Sequence, residues 1–200
     1  MNETLFHLTF VLTFLSFTAI RAAYQRLAQK TQGNVEYREG KLHKGLRLAL
    51  GIPFMAVFFA YMIWPSIASW AALALPVWAR WTGVVLSILS LPVIWWVQRS
   101  LGSNFSTTLH VRDEHTLITQ GPYRWVRHPM YTVLFVQLVG VLLLTANGFI
   151  GGVPLLAFLF IVARRLQKEE ATMSEKFGEQ YRRYMQRTGR FLPRWKGISL

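Results

Sequence analysis

The chain has no cysteine and little charge, with only 16% of its 200 residues in Asp, Glu, Lys or Arg. Without cysteine there is no disulfide framework, no thiolate metal site and no thiol nucleophile. Gly-x-Gly-x-x-Gly, the P-loop, His-Glu-x-x-His and Gly-x-Ser-x-Gly are missing as well. A nucleotide-like cofactor therefore needs a pocket of another kind, and no metal is expected. Charge vanishes entirely from two long runs: Leu48 to Ala79 and Tyr131 to Ala163 contain no Asp, Glu, Lys, Arg or His. With 52% of residues apolar, the chain is too poor in polar surface for a soluble domain. At roughly 20 apolar residues per crossing, several membrane helices fit.

What is present is basic, and it is sorted. Seven Lys and Arg lie between the first and second apolar runs, four between the third and fourth, and ten after the last. Arg80 is the one exception among 22. Such alternation is the positive-inside pattern of a five-span protein, with the N-terminus outside and the C-terminus on the cytoplasmic side. Anionic lipid headgroups beside the spans account for the net charge of +13 without invoking nucleic acid.

The first crossing is predicted over Leu5–Ile20. A cleaved signal peptide is the poorer reading, because Glu3 stands where basic residues belong and Arg21 and Arg26 where a cleavage site should be. The second is predicted from Leu48 to Trp64, stopped by Pro65, and the third from Trp81 to Val97, with Trp78, Trp81, Trp95 and Trp96 as interfacial belts and a kink at Pro92. A polar inside loop, Gln98–Arg127, precedes the last apolar stretch, which Asn147-Gly148 and Gly151-Gly152 break in two. Its 33 residues are too few for two full crossings, so a short hairpin is expected, extended on the inside to Pro129 and to Arg164–Lys168. The expected fold is an all-α integral membrane protein of about five transmembrane helices. Residues 1–97 form a three-span region with inside loop 21–47, and residues 98–200 a loop, a helical hairpin and a tail.

Three polar clusters fall on the inside. In Arg124-Trp125-Val126-Arg127-His128-Pro129-Met130-Tyr131, proline at a first helical position and a possible His128 cap leave a positive helix end that attracts an anion, unless the arginines serve only lipid phosphate. In Arg164-Arg165-Leu166-Gln167-Lys168-Glu169-Glu170, Arg165 and Glu169 are one turn apart, as a solvated ion pair or a functional one. Phe177 to Pro193 carries Tyr181 and Tyr184 on one helical face, read as a helix docking on the inside surface.

Taken together, His115 to Tyr123, Arg127-His128-Pro129-Met130-Tyr131, Glu169-Glu170, and Phe177-Gly178 with Tyr181 and Tyr184 resemble the integral-membrane methyltransferases typified by isoprenylcysteine carboxyl methyltransferase and including phospholipid N-methyltransferases. Many members carry Gly two residues after the motif tyrosine, where this chain has Thr132-Val133, a difference that bears on helix approach or on the substrate channel. The resemblance implies transfer of a methyl group from S-adenosylmethionine to a lipophilic or lipidated acceptor at the membrane surface, with a cofactor pocket formed by inside loop and tail. It places the cofactor on His115, Leu117, Gly121, Tyr123, His128 and Tyr131, with Glu170 nearby. Arg165 would orient a carboxylate acceptor, with Glu169 holding it, whereas an amine acceptor would need Glu169 or Glu170 to take its proton. Membrane sterol reductases, similar in an Arg-His-Pro-x-Tyr segment and dependent on a nicotinamide cofactor, and a non-catalytic scaffold are the other classes.

Overall fold

The computed structural model describes residues 2–32, 41–101 and 117–194. Among these the chain is helical, with two isolated β-bridges and no strand. The long helices are α1 (Asn2–Gln32), α2 (Lys41–Ile63), α3 (Val77–Leu101), α4 (Pro129–Thr145) and α5 (Val153–Arg187). Helices α1, α3 and α5 are long and apolar enough to cross a membrane, while the apolar parts of α2 and α4 are shorter. This is the expected all-α membrane architecture.

One boundary differs from expectation for a local reason. Helix α1 continues well past Ile20 because Arg21 to Gln32 contains neither Gly nor Pro and is rich in good helix formers. Polarity there marks departure from the membrane, not the end of the helix. Helix α3 is continuous through Pro92.

Small residues bring α3 and α4 together. A Cβ added at Gly83 of α3 would lie 2.4 Å from the Leu144 backbone nitrogen of α4, and one at Gly140 would lie 2.6 Å from Ser87 Oγ. Small-residue contacts of this kind let membrane helices pack backbone to backbone. Lower in the same seam, Ser90 Oγ donates to Gln137 Oε1 at 2.5 Å, and Ile94 packs with Val133 of α4 and Phe17 of α1. Val133 is thus buried in the α1–α3–α4 core. Toward the start of α1, Phe6 and Phe10 pack with Phe58 and Tyr61 of α2 and with Val84, Val141 and Leu144 of the same seam.

The hairpin between α4 and α5 closes on Asn147. Its Oδ1 accepts from the backbone amides of Phe149 and Ile150 at 3.0 and 2.9 Å, and its Nδ2 donates to the Ala68 carbonyl at 2.7 Å. Helix α4 is short, 17 residues or about 26 Å, whereas α5 has 35. The length missing from α4 is recovered beyond the basic end of α5, as expected. Helix α5 breaks once, at Gly178, whose φ of 50° and ψ of −126° suit glycine alone. A Cβ there would meet nothing within 4 Å, so backbone conformation, not space, requires the glycine. The break turns residues 179–187 back toward the start of α4.

Candidate active site

Loop and tail are knitted together before any charge is considered. Gly121 opens a single 3-10 turn, Gly121–Arg124, with φ of 58° and so little room that a Cβ would lie 2.3 Å from Ser100 Oγ at the end of α3. From that turn the Tyr123 carbonyl accepts from Tyr184 Oη at 2.6 Å. The backbone then pairs with the tail: Gly189 N donates to Trp125 O at 3.2 Å, Arg127 N to Gly189 O at 2.8 Å and His128 N to Arg190 O at 3.1 Å. Thr132 Oγ1, one turn into α4, donates to Phe191 O at 2.9 Å. The docking role read for Tyr181 and Tyr184 is visible here: both are buried, and Tyr184 holds the loop.

This knit alters two expectations for the start of α4. The His128 side chain makes no capping bond, and its amide is taken by the tail. Most of the Arg127 guanidinium is turned to its own chain: Nε donates to Glu170 Oε1 at 3.2 Å and one terminal nitrogen to the Met185 and Thr188 carbonyls at 3.1 and 2.5 Å. It is a clamp between loop and tail.

The adjacent glutamates of α5 face different neighbours. Glu170, buried, takes Arg127 and also Arg190, whose Nε and terminal nitrogen donate to its two oxygens at 3.2 and 2.5 Å. Glu169 Oε1 accepts from Tyr131 Oη at 2.7 Å and pairs with Arg165 at 3.0 Å. His128 lies between the two sets, with Nε2 3.4 Å from Glu170 and Nδ1 4.0 Å from Glu169. Its ring is stacked on Tyr131 at 5.7 Å. Burial holds the His128 imidazole below its ordinary value against the opposing pull of Glu169 and Glu170, so it is neutral near pH 7. A neutral ring carries one N–H, so it cannot donate to both carboxylates at once. Nε2 is buried and, among the described residues, has no well-formed hydrogen bond, with Glu170 its nearest carboxylate.

Of the residues singled out from sequence, His128, Tyr131, Arg165, Glu169 and Glu170 therefore share one network at the basic ends of α4 and α5. Gly121 and Tyr123 form the loop beside it, Leu117 is half-buried just before that loop, and His115 lies outside the described residues. Arg190 enters the network unforeseen. A basic residue in a basic tail gives no sign of a partner twenty positions away.

Residues 82–175 match the isoprenylcysteine carboxyl methyltransferase (ICMT) family. The chain is 30% identical over 133 residues to the mouse protein-S-isoprenylcysteine O-methyltransferase, covering 66% of this chain and 47% of that one. It is 35% identical over 101 residues to the rat protein of the same name, covering 50% and 36%, and 27% identical over 154 residues to that of Dictyostelium discoideum, covering 76% and 59%. The chain thus spans less than half the length of the mouse and rat relatives. Among solved structures, the eukaryotic intramembrane Ras methyltransferase ICMT, solved without a monobody, superposes with a TM-score of 0.58 at 21% identity, over 93% of this chain and 68% of that one. The paired carboxylates, the Arg127-His128-Pro129 segment and most of the α3–α4 seam fall within residues 82–175, the part of the chain that is similar to the isoprenylcysteine carboxyl methyltransferase family.

Proposed function

We propose that the protein is an S-adenosylmethionine-dependent methyltransferase that esterifies the carboxylate of a lipophilic, isoprenylcysteine-like acceptor at the cytoplasmic surface of its membrane. The observation that carries this reading is the joining of Arg165, Glu169 and Tyr131 to the His128 and Glu170 set at the basic ends of α4 and α5. S-adenosylmethionine, when bound, supplies a methyl group on a cationic sulfur, and the acceptor oxygen forms the new C–O bond as the C–S electron pair leaves with sulfur.

The residues suit such a group. His128 has a buried nitrogen without a well-formed hydrogen bond, two carboxylates lie beside it, and the Tyr131 ring is stacked on its own. Gly121, Tyr123 and Leu117 supply the adjoining loop, with His115 just before it in sequence. Reaction of a carboxylate displaces no proton, so this chain has to orient and to exclude water. Arg165 is suited to the first task, since a guanidinium recognises a carboxylate through paired N–H donors and the Arg165 side chain keeps 35% of its surface exposed. Glu169 fixes that guanidinium from one turn further along the helix. The apolar walls of α4 and α5 suit the acceptor's lipid chain.

The test is binding and turnover on purified protein. Labelled S-adenosylmethionine should bind in preference to NADPH, and radioactive methyl should pass to N-acetyl-S-farnesylcysteine as a base-labile ester. Preferential NADPH binding would point instead to a reductase, and transfer only to a phospholipid amine headgroup would replace the acceptor assigned here.

A further inference from the structure

We infer that the flank of α3 holds one anionic glycerophospholipid, its phosphate gripped by Arg99 and Arg124 and its acyl chains laid along the exposed stripe Val85, Leu89, Val93 and Trp96. None of these residues belongs to the glutamate network between α4 and α5, and binding to them is measurable whether or not the protein transfers methyl groups.

Two guanidiniums stand here with their donors unspent. Arg124 lies 4.0 Å over the Trp125 ring, and Arg99 lies 5.2 Å over the Trp95 ring. Stacking on an indole occupies the face of a guanidinium and leaves its N–H edge open. Neither arginine has a hydrogen bond or an ion pair among the described residues, whereas Arg127, three positions after Arg124, is bonded to Glu170 and the tail. Both rest on one aromatic ridge: Trp96, next to Trp95, meets Trp125 edge to face at 5.5 Å, and all three indoles are exposed. Val85, Leu89, Val93 and Trp96 follow at four, four and three residues, so they form a single stripe of α3, and each is exposed. That stripe is about 16 Å long, close to half of a hydrocarbon core of roughly 30 Å, and so matches the acyl chains of one leaflet. A free phosphate would use the arginines and leave the stripe unmatched; a lipid uses both. A zwitterionic headgroup would bring its ammonium up against two guanidiniums, which favours an anionic one. The grip also reaches the loop. Arg124 ends the turn Gly121–Arg124, whose Tyr123 carbonyl takes Tyr184 Oη, and the Trp125 carbonyl takes Gly189 N, so fixing Arg124 steadies the hold of the loop on the tail.

The deciding measurement is native mass spectrometry of the full chain in neutral detergent, titrated with dioleoylphosphatidylglycerol, dioleoylphosphatidylcholine or inorganic phosphate. One phosphatidylglycerol should be held about tenfold or more tighter than phosphatidylcholine, as charge-assisted hydrogen bonds to its phosphate require, and inorganic phosphate should not displace it. Loss of one positive charge near an anionic surface weakens binding about fivefold with no specific contact at all. Arg183→Gln, in the exposed tail, measures that diffuse effect, and Arg124→Gln and Arg99→Gln should each exceed it, at about tenfold or more. Arg99→Gln alters an exposed helix end and leaves the turn Gly121–Arg124 intact, so it still reports on the site where Arg124→Gln disturbs the loop. In wild type, phosphatidylglycerol should also slow proteolysis of the tail beyond Tyr184, and in Arg124→Gln it should not. Equal retention of the two lipids, losses in Arg124→Gln and Arg99→Gln no larger than in Arg183→Gln, or displacement by inorganic phosphate at matched concentration overturns the lipid site. Tail cleavage that phosphatidylglycerol leaves unchanged overturns its link to the loop.

Discussion

Glu169 and Glu170 are chain neighbours, yet a rotation of about 100° per residue turns them toward different partners. Glu170 answers two arginines, one of them, Arg127, with a side chain only 11% exposed. Glu169 answers the more open Arg165 and a tyrosine. Their neutral replacements should therefore fail in different ways. Glu170→Gln leaves a buried guanidinium without its counter-charge, a loss on the order of 3 kcal/mol, and should lower the thermal midpoint in detergent by several degrees. Glu169→Gln should shift the midpoint far less and be felt in acceptor turnover. Equal midpoints for the two variants would show that Glu170 holds nothing together. Spacing in the sequence brought out both acids and the Arg165–Glu169 pair, because one helical turn is a local rule. It did not distinguish their tasks, which depend on Arg190 and the tail, twenty residues away past a break in the helix.

That break is the element on which the site turns. Residues 179–187 reach the loop at Gly121–Arg124 only because Gly178 adopts a backbone conformation closed to residues with a Cβ. Gly178→Ala meets no steric neighbour, so its effect isolates backbone strain, about 1–2 kcal/mol. The membrane helices should persist, with unchanged helical circular dichroism. Limited proteolysis should cut the tail between Tyr184 and Arg194 several-fold faster than in wild type, and wild-type cleavage rates would mean that the tail is held without the turn. Elements were legible from sequence wherever apolarity ended them: Pro65, the Asn147-Gly148 hairpin and the inward extension of α5 all stand where expected. The end of α1 was not, since its final turns are polar and helical at once. Nor was the meaning of Val133. Its place inside a motif left helix approach and substrate channel both open, and it is a core side chain packed between helices.

For the molecule as a whole, the sorting of charge predicts which end carries the chemistry. A cysteine at Ser69, in the turn after α2, and one at Gln180, in the tail, should be labelled by a membrane-impermeant maleimide from opposite sides of sealed vesicles, without interference from native thiols. Labelling of both from one side would refute the five-span arrangement. Arg80, the lone basic residue at the Ser69 end, is not free there. Its guanidinium is paired with Glu3, lies 4.2 Å over the Phe6 ring and donates to the Leu144 carbonyl at 3.3 Å. Three helices thus share one cation, and it finishes the end of α4 as a C-terminal cap would. Electrically, Arg80 is muted: its charge is countered within the fold by Glu3, so once α1 and α3 have met it adds little against the inward bias that the other basic residues predict.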